Sequence, residues 1–236
     1  MSISTVFLDA GGVLVTPNWH RVAQALGVQG VTVTPEALAA ADPLARHELD
    51  LGLGPRASDQ KRGFLYFNRV LELAGVQPSN KTEAALAELQ DYHARINLWE
   101  TVPVGVCEAL EQMRALGLRL AVVSNANGRL KVLFDRMGLS RHFEVMLDST
   151  EEGVEKPDRR LFDIAVERMG ARRDEVVHVG DLFSVDVEGA RAAGLQAVLL
   201  DPLDLYVGFE CERVRSLGEL ADRLSERLQA SGSRLP

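Results

Sequence analysis

Asp9 closes a short apolar run, Thr5–Leu8, and is followed by Gly11 and Gly12. A carboxylate at the end of a buried strand, with small residues that let a second molecule approach, is positioned to act as a nucleophile. The same residues also describe an aspartate that merely opens a turn. Farther along, Ser124-Asn125 follows the run Leu118–Val123, and Gly180-Asp181 follows Glu175–Val179, with Asp186 after it. Ser124 and Asn125 offer a hydroxyl and an amide donor to a phosphoryl or similar oxygen, or else form an ordinary turn. Lys156, before Pro157, offers an ammonium that neutralises charge on both a substrate and a nucleophile. Most lysines, by contrast, are simply solvated. Asp9, Asp181 and Asp186 together form an oxygen-rich set suited to Mg2+, a hard cation that favours carboxylates, carbonyls and water. Each signal alone has an ordinary structural explanation; their common position at the ends of apolar runs is the specific feature.

Those positions depend on the elements that carry them. Thr5–Leu8 reads as a buried strand, and four more strand-like runs follow Trp99: Leu118–Val123, Phe143–Leu147, Glu175–Val179 and Leu195–Leu200. Helical patterns separate them at Leu130–Met137, Leu161–Met169 and Val187–Ala193, with a further helix at Leu217–Leu228. Another helix is expected from Pro103, with Val106, Leu110, Met113 and Leu116 on one face and Gly117 at its end. Short apolar strands alternating with amphipathic helices predict an α/β fold, a three-layer Rossmann-like core with a mainly parallel sheet. In such sheets ligands sit beyond the carboxyl ends of the strands, where the polar residues above fall. From about Asn18 to Ile96 the strand signal disappears. Thr34-Pro35-Glu36 marks a helix start, Asn80 with Glu83 suggests a capping box, and Gly52, Gly54 and Pro55 interrupt the segment. The expected organisation is a catalytic core from 1–16 and 100–236, a helical cap inserted at 17–99, and a loose tail at 231–236.

Composition narrows the classes. The chain has 236 residues, 46% hydrophobic and 25% charged, which is enough apolar content for a core. Its 26 basic and 34 acidic residues give a net charge of −8, and no positive stripe suits sequence-independent nucleic-acid binding. Two cysteines, Cys107 and Cys211, exclude a disulfide framework and a cysteine-rich zinc site. Apolar runs such as Ala197–Leu200 are too short to span a membrane, and Met1–Leu8 lacks the signature of a signal peptide. These features predict a soluble cytoplasmic protein with no membrane and no nucleic-acid partner.

Four stretches carry a resemblance to the haloacid dehalogenase-like hydrolases. VFLDAGGVLV resembles the first family motif, LAVVSNANG the second, VEKPDRRLF the third, and VVHVGDLFSVDVEGARAAGL the fourth. The last is the most specific, because the glycine, both acids and the following helix all match. The resemblance covers nearly the whole chain and implies an inserted helical cap that selects the substrate. It implies that Asp9 attacks phosphorus to form an aspartyl-phosphate that water hydrolyses, and that Ser124 and Lys156 hold the transferring group. It further implies Mg2+ bound by Asp9, the Gly11 carbonyl and Asp181, with Asp186 as a supporting or water-mediated ligand.

One departure matters. In the family's phosphatases the residue two after the nucleophile is usually a second aspartate that protonates the leaving group; here it is Gly11. The metal role, which needs only a main-chain carbonyl, survives, but the acid role does not. Three enzymatic readings follow. A phosphatase would rely on water or a cap group such as His20 or His47. A 2-haloacid dehalogenase needs no proton for its halide, but commonly carries an aromatic where Gly11 stands. A phosphonate-cleaving enzyme needs a cap lysine, and the cap offers Lys61 and Lys81, with Lys81 expected in solvent. A catalytically weak phosphate-binding member is a fourth. Metal-binding acids at Asp181 and Asp186 favour the phosphatase acting on a small organic phosphate. His178 is expected to be packed or hydrogen-bonded within its strand, His93 and His142 have no partner pattern, and Trp19 and Trp99 fall at the joints between core and cap.

Overall fold

Val6, Phe7 and Leu8 are wholly buried because the short strand they form, β1 (Thr5–Leu8), is flanked by partners on both edges. It pairs with β2 (Arg119–Ser124) on one side and β4 (Val176–Gly180) on the other. β3 (Val145–Asp148) lies beyond β2, and β5 (Gln196–Leu200) and β6 (Glu212–Val214) lie beyond β4. The order is therefore β3-β2-β1-β4-β5-β6, with every pairing parallel. The computed structural model describes residues 3–53, 59–230 and 232, without the side chains of 53, 59–62 and 64. The described chain divides into two compact units, Met1–Thr16 with Val102–Pro236, and Pro17–Thr101.

Alternation along the strands gives the first unit two buried faces. Phe7, Ala121, Val123, Leu147 and Val176 pack against Leu161, Phe162, Ala165 and Met169 of α8 (Arg159–Met169) and Ala190 of α9 (Glu188–Ala192). The opposite face, with Val6, Leu8, Leu120 and Val122, is equally closed to solvent. Helices α5 (Val106–Ala115) and α10 (Leu217–Ala230) pack on one another, and α6 (Leu130–Met137) and the one-turn α7 (Ser149–Glu152) border β3. This is the expected three-layer α/β fold with a parallel sheet. Strand bounds shift by one or two residues from the apolar runs, and β6 is an addition: Glu-Arg-Val is too short and too charged to register as an apolar run. The helix expected from Pro103 begins at Val106, after Gly105 turns the chain at φ 87. No helix among the described residues is long and apolar enough to cross a membrane.

The second unit is helical: α1 (Trp19–Val28), α2 (Pro35–Leu53), α3 (Asp59–Leu73) and α4 (Asn80–Arg95). Thr34 caps α2 as expected, its hydroxyl accepting from the Ala37 amide at 3.2 Å. The capping box of α4 lies one residue earlier than the sequence suggested. Ser79 accepts from the Thr82 amide, and Thr82 Oγ1 accepts from the Ser79 amide at 2.9 Å, so a threonine takes the place assigned to Glu83. Gly52 lies inside α2 rather than interrupting it, since an exposed glycine in a helix costs only about 1 kcal/mol. Gly54 and Pro55 lie outside the described residues, as does the expected tail at 231–236 apart from Gly232.

Both tryptophans are packing residues. Trp19 meets Tyr66 and Phe67 with ring centroids 6.4 and 6.2 Å apart, and Trp99 stacks on Tyr66 at 6.0 Å. Next to them, Glu100 ties the two ends of the unit together. It accepts from Asn18 Nδ2 at 3.1 Å, Arg21 Nε at 3.0 Å and the Tyr92 hydroxyl at 2.9 Å, while the Arg21 guanidinium lies 3.8 Å above the Tyr92 ring. Burial works against the carboxylate, but the donors from Tyr92, Arg21 and Asn18 outweigh it and hold its pKa below the ordinary value. A depressed folded-state pKa contributes stability that is full above the ordinary glutamate value, about 4.3, and is lost as pH falls from there through the lower folded-state value. Glu100→Gln is therefore expected to lower stability at pH 7 by about 1–3 kcal/mol. The gap between variant and wild type should close in denaturant titrations below about pH 4; a gap that persists unchanged at low pH would assign the tie to shape rather than charge.

Candidate active site

Because β1 is central, the carboxyl ends of β2, β1 and β4 lie side by side, at the point where the strand order reverses. Leu8 is in register with Val122 and Val179, so Asp9 emerges beside Val123 and Gly180 and donates its amide to the Val179 carbonyl at 2.9 Å. Ser124 and Asp181 follow immediately on the neighbouring strands. The turn after Asp9 is held by the Ala10 carbonyl, which accepts from the amides of Val13, Leu14 and Val15. Gly12 donates to Val15, and with the Val15-to-Ala10 bond this makes a small parallel bridge that leaves the Gly11 carbonyl out of the pairing. Gly12 takes the left-handed conformation at φ 77, whereas Gly11 does not. The backbone at position 11 is thus open to residues other than glycine.

The structure brings together the charged residues that the sequence singled out. Lys156, its side chain 1% exposed, places Nζ 2.9 Å from Asp9 Oδ1 and 2.7 Å from Asp186 Oδ1. Burial disfavours the ammonium, but the charges of Asp186 and Asp9 prevail and raise its pKa above the ordinary lysine value. Asp186 shows the converse balance: burial disfavours its charge, yet Lys156 and the His178 hydrogen bond hold its pKa well below the usual carboxylate range. The pair stays ionised throughout the neutral range. Carboxylate oxygens of Asp9, Asp181 and Asp186 lie within 4.8 Å of one another.

The three acids differ in what they have left to offer. Asp186 Oδ1 accepts from Lys156 and faces His178 Nε2 at 3.0 Å, and its Oδ2 accepts from the Leu182 amide at 3.1 Å. Asp9 Oδ1 is shielded from solvent and has the Lys156 ammonium, 2.9 Å away, as its partner. Three carboxylates converging against one ammonium make an all-oxygen, net-negative set that fits a hard divalent cation. His178 is fully buried, edge-on to Phe162, and burial pushes its pKa down, so it is neutral and donates from Nε2 to Asp186. It was expected to be packed or hydrogen-bonded, and it is both; the partner, Asp186, is what no local pattern signals.

Ser124 lies 2% exposed at the end of β2, and its hydroxyl makes only a long 3.4 Å bond to the Asn125 carbonyl. Asn125 was expected to reach a substrate. Its carboxamide pairs with the main chain of Lys156, accepting from the amide at 2.7 Å and donating to the carbonyl at 3.0 Å. Asp148, at the end of β3, accepts from the Thr150 and Leu130 amides, and Thr150 Oγ1 donates to the Ala126 carbonyl at 2.6 Å. These bonds fix the loop after Asn125; the sequence signal for them was a strand followed by Asp-Ser-Thr, a helix-start pattern. Elsewhere, His20 and Lys81 are exposed, His47 is half-buried, and the side chain of Lys61 lies outside the described residues. His93 accepts from the Leu98 amide at 3.2 Å, and His142 is buried beside Phe143.

Gly180 is the residue that admits this arrangement, since a Cβ there would overlap the Asp186 carboxylate. Gly180→Ala is expected to displace Asp186 from Lys156 and to cost about 1–3 kcal/mol of stability. Denaturant unfolding and an Asp186-dependent loss of the Lys156 pair in a structure of the variant check this; an unshifted Asp186 would contradict it.

A model of the haloacid dehalogenase-like hydrolases matches residues 3–194. The ribulose-1,5-bisphosphate 5-phosphatase of Halopiger xanaduensis is 32% identical over 192 residues, 76% of this chain and 79% of that protein. A phosphoserine phosphatase of Thermus thermophilus is 37% identical over 136 residues, 57% of this chain and 53% of that one. Among solved structures, a HAD hydrolase of Bacillus subtilis bound to magnesium superposes with a TM-score of 0.67, covering 95% of this chain and 99% of that one. At 16% identity, that last likeness is one of fold. The family model spans most of the chain, the first relative exceeds 30% identity across three quarters of it, and the parallel sheet has the same architecture, so the chain belongs to the haloacid dehalogenase-like hydrolases and is a hydrolase.

Proposed function

We propose that the protein is a cytoplasmic, Mg2+-dependent phosphatase that hydrolyses a small organic phosphate through an aspartyl-phosphate at Asp9. The observation that carries this reading is the Lys156 ammonium shared between Asp9 and Asp186, with Asp181 beside them. A dianionic phosphate brought to carboxylates needs that much positive charge. The phosphatase names of the two relatives above support the substrate class, and their different substrates leave the individual ester open. The two free cysteines are in keeping with a reducing compartment.

The chain's own residues divide the work. An oxygen of Asp9 attacks phosphorus, and the bond from phosphorus to the ester oxygen breaks. Water then attacks the aspartyl-phosphate, inorganic phosphate leaves, and the Asp9 carboxylate is regenerated. Lys156 and the Ser124 hydroxyl meet charge on the phosphoryl oxygens, and Lys156 also lowers repulsion between Asp9 and the incoming anion. Mg2+ would be held by Asp9, the Gly11 carbonyl and Asp181, with Asp186 supporting from its bonds to Lys156 and His178. There it supplies further positive charge to the transferring group. Gly11 has no proton to give, so the leaving oxygen departs on its own basicity or takes a proton from water.

Two predictions follow from this division. Excess chelator is expected to abolish phosphate release from p-nitrophenyl phosphate, and Mg2+ to restore it. Asp9→Asn should reduce turnover to background with the fold intact, and should no longer trap a beryllofluoride adduct. Chloride release from a 2-chloroacid without metal would replace the phosphatase with a dehalogenase.

A third prediction concerns Gly11. A positioned general acid contributes on the order of 10²–10⁴-fold for a poor leaving group. The wild type should therefore cleave aryl and acyl phosphates far faster than alkyl phosphates, with kcat/KM falling steeply as leaving-group pKa rises. Position 11 is not in the left-handed region, so Gly11→Asp meets no left-handed strain and is expected to raise activity on alkyl phosphates selectively. A flat wild-type dependence with chemistry rate-limiting would mean that another residue supplies the proton.

A further inference from the structure

Asn125 follows β2 directly, and Lys156 lies in the segment that leads into α8, which is not part of the sheet. No strand pairing therefore fixes the main chain at Lys156. One side chain substitutes for it. A carboxamide has the donor and acceptor spacing of a peptide group, and the Asn125 oxygen and nitrogen engage the amide and carbonyl of the same residue at 2.7 and 3.0 Å. At the other end of Lys156, the ammonium is shared by Asp9 and Asp186. The side chain between these anchors is 1% exposed, so a shift of the main chain cannot be absorbed by a solvent-facing rotamer. Asparagine meets this geometry where its neighbours in chemistry do not: aspartate loses the donor and faces the Lys156 carbonyl with a charge, and alanine loses both bonds.

We infer that Asn125 is a positioning residue, which sets the main chain of Lys156 so that its ammonium reaches Asp9, rather than a group that reads the substrate. This deepens the phosphatase reading and rests on it for the kinetic consequence, but its structural core is independent of any activity. The chain has four lysines, Lys61, Lys81, Lys131 and Lys156, so the reactivity of each towards an amine reagent is resolved by peptide mass. Lys131 is 67% exposed and serves as the internal standard.

The experiment measures acylation rates of the individual lysines by acetic anhydride in wild type and Asn125→Ala, together with kcat and KM for p-nitrophenyl phosphate. The expected result is that Lys156 labels at least about tenfold faster relative to Lys131 in the variant, with Lys81 unchanged. In parallel kcat should fall at least about tenfold while KM changes by less than about threefold. If Asn125→Ala does not fold, Asn125→Asp, which keeps the shape and the bond to the Lys156 amide, is expected to show both changes in smaller measure. Unchanged Lys156 labelling overturns the inference, as does a rise in KM alone, which would make Asn125 a substrate contact. Faster labelling at every lysine overturns it too, since that reports general loosening. Faster Lys156 labelling with kcat unchanged removes the positioning role. If p-nitrophenyl phosphate is not turned over by wild type at all, the phosphatase reading fails while the labelling still decides what Asn125 does to Lys156.

Discussion

A lysine ammonium held out of solvent between two aspartates is the interaction to which the core is fitted. Removing such charges from water costs several kcal/mol per ion, and their attraction offsets this only when distances are short and the remaining polar atoms are satisfied. Lys156 meets Asp9 at 2.9 Å and Asp186 at 2.7 Å, and Asp186 fills its other contacts with His178 and the Leu182 amide. Each partner comes from a different element: Asp9 from the end of β1, His178 from within β4, Asp186 from the wide turn Phe183–Val187 after it. A parallel sheet with β1 at its centre is what lets these elements end at one place. Two glycines make the closeness possible, Gly180 beneath the Asp186 carboxylate and Gly189 against Pro157 and Phe162, where an added Cβ would sit about 3.0 Å from each.

Strands were legible because burial on both faces forces continuous apolar runs, and their ends were legible because a polar residue interrupts each run. Asp9, Ser124 and Asp181 therefore came out of the sequence as neighbours in kind before they were neighbours in space. The family resemblance supplied the order and the roles. What stayed hidden depended on long-range pairing or on single hydrogen bonds. β6 has one apolar residue in three and becomes a strand only through β5. The carboxamide of Asn125 looks the same in a sequence whether it faces a substrate or, 31 residues away, the main chain of Lys156. His178 was legible as buried, but its bond to Asp186 spans a strand end and a turn. The helix start at Ser79 was missed by one residue because a Ser-Thr box and an Asn-Glu box overlap there.

The helical unit is held by a different balance. Its centre is aromatic and aliphatic, with Tyr66 and Phe67 of α3 between Trp19 and Trp99, and donors converge on two carboxylates, Glu100 at its ends and Asp42, which accepts from Tyr66 and Arg46. Arg21, Asn18 and Tyr92 all donate to Glu100, which links the start of α1 to the chain that leaves α4. The Asn18 amide adds a main-chain bond to the Leu98 carbonyl at 2.9 Å. An insertion enters and leaves its host at neighbouring points, so its two ends must meet. A charged tie at that meeting point orders the ends.

The acids at the strand ends show how environment separates groups of identical chemistry. Asp9 and Asp186 touch the same ammonium through equivalent oxygens. Asp186 has its oxygens taken up by a lysine, a histidine and a backbone amide and lies almost entirely out of solvent, so it is a fixed counter-charge and a poor nucleophile. Asp9 keeps 13% of its side chain exposed and meets the ammonium through Oδ1, so it is the less enclosed of the two carboxylates. A further carboxylate two residues after Asp9 would be the usual source of a proton in the family's phosphatases, and this chain has Gly11 there, outside the left-handed region. Glycine there is thus not imposed by the backbone of the turn, which Gly12 alone bends into the left-handed region.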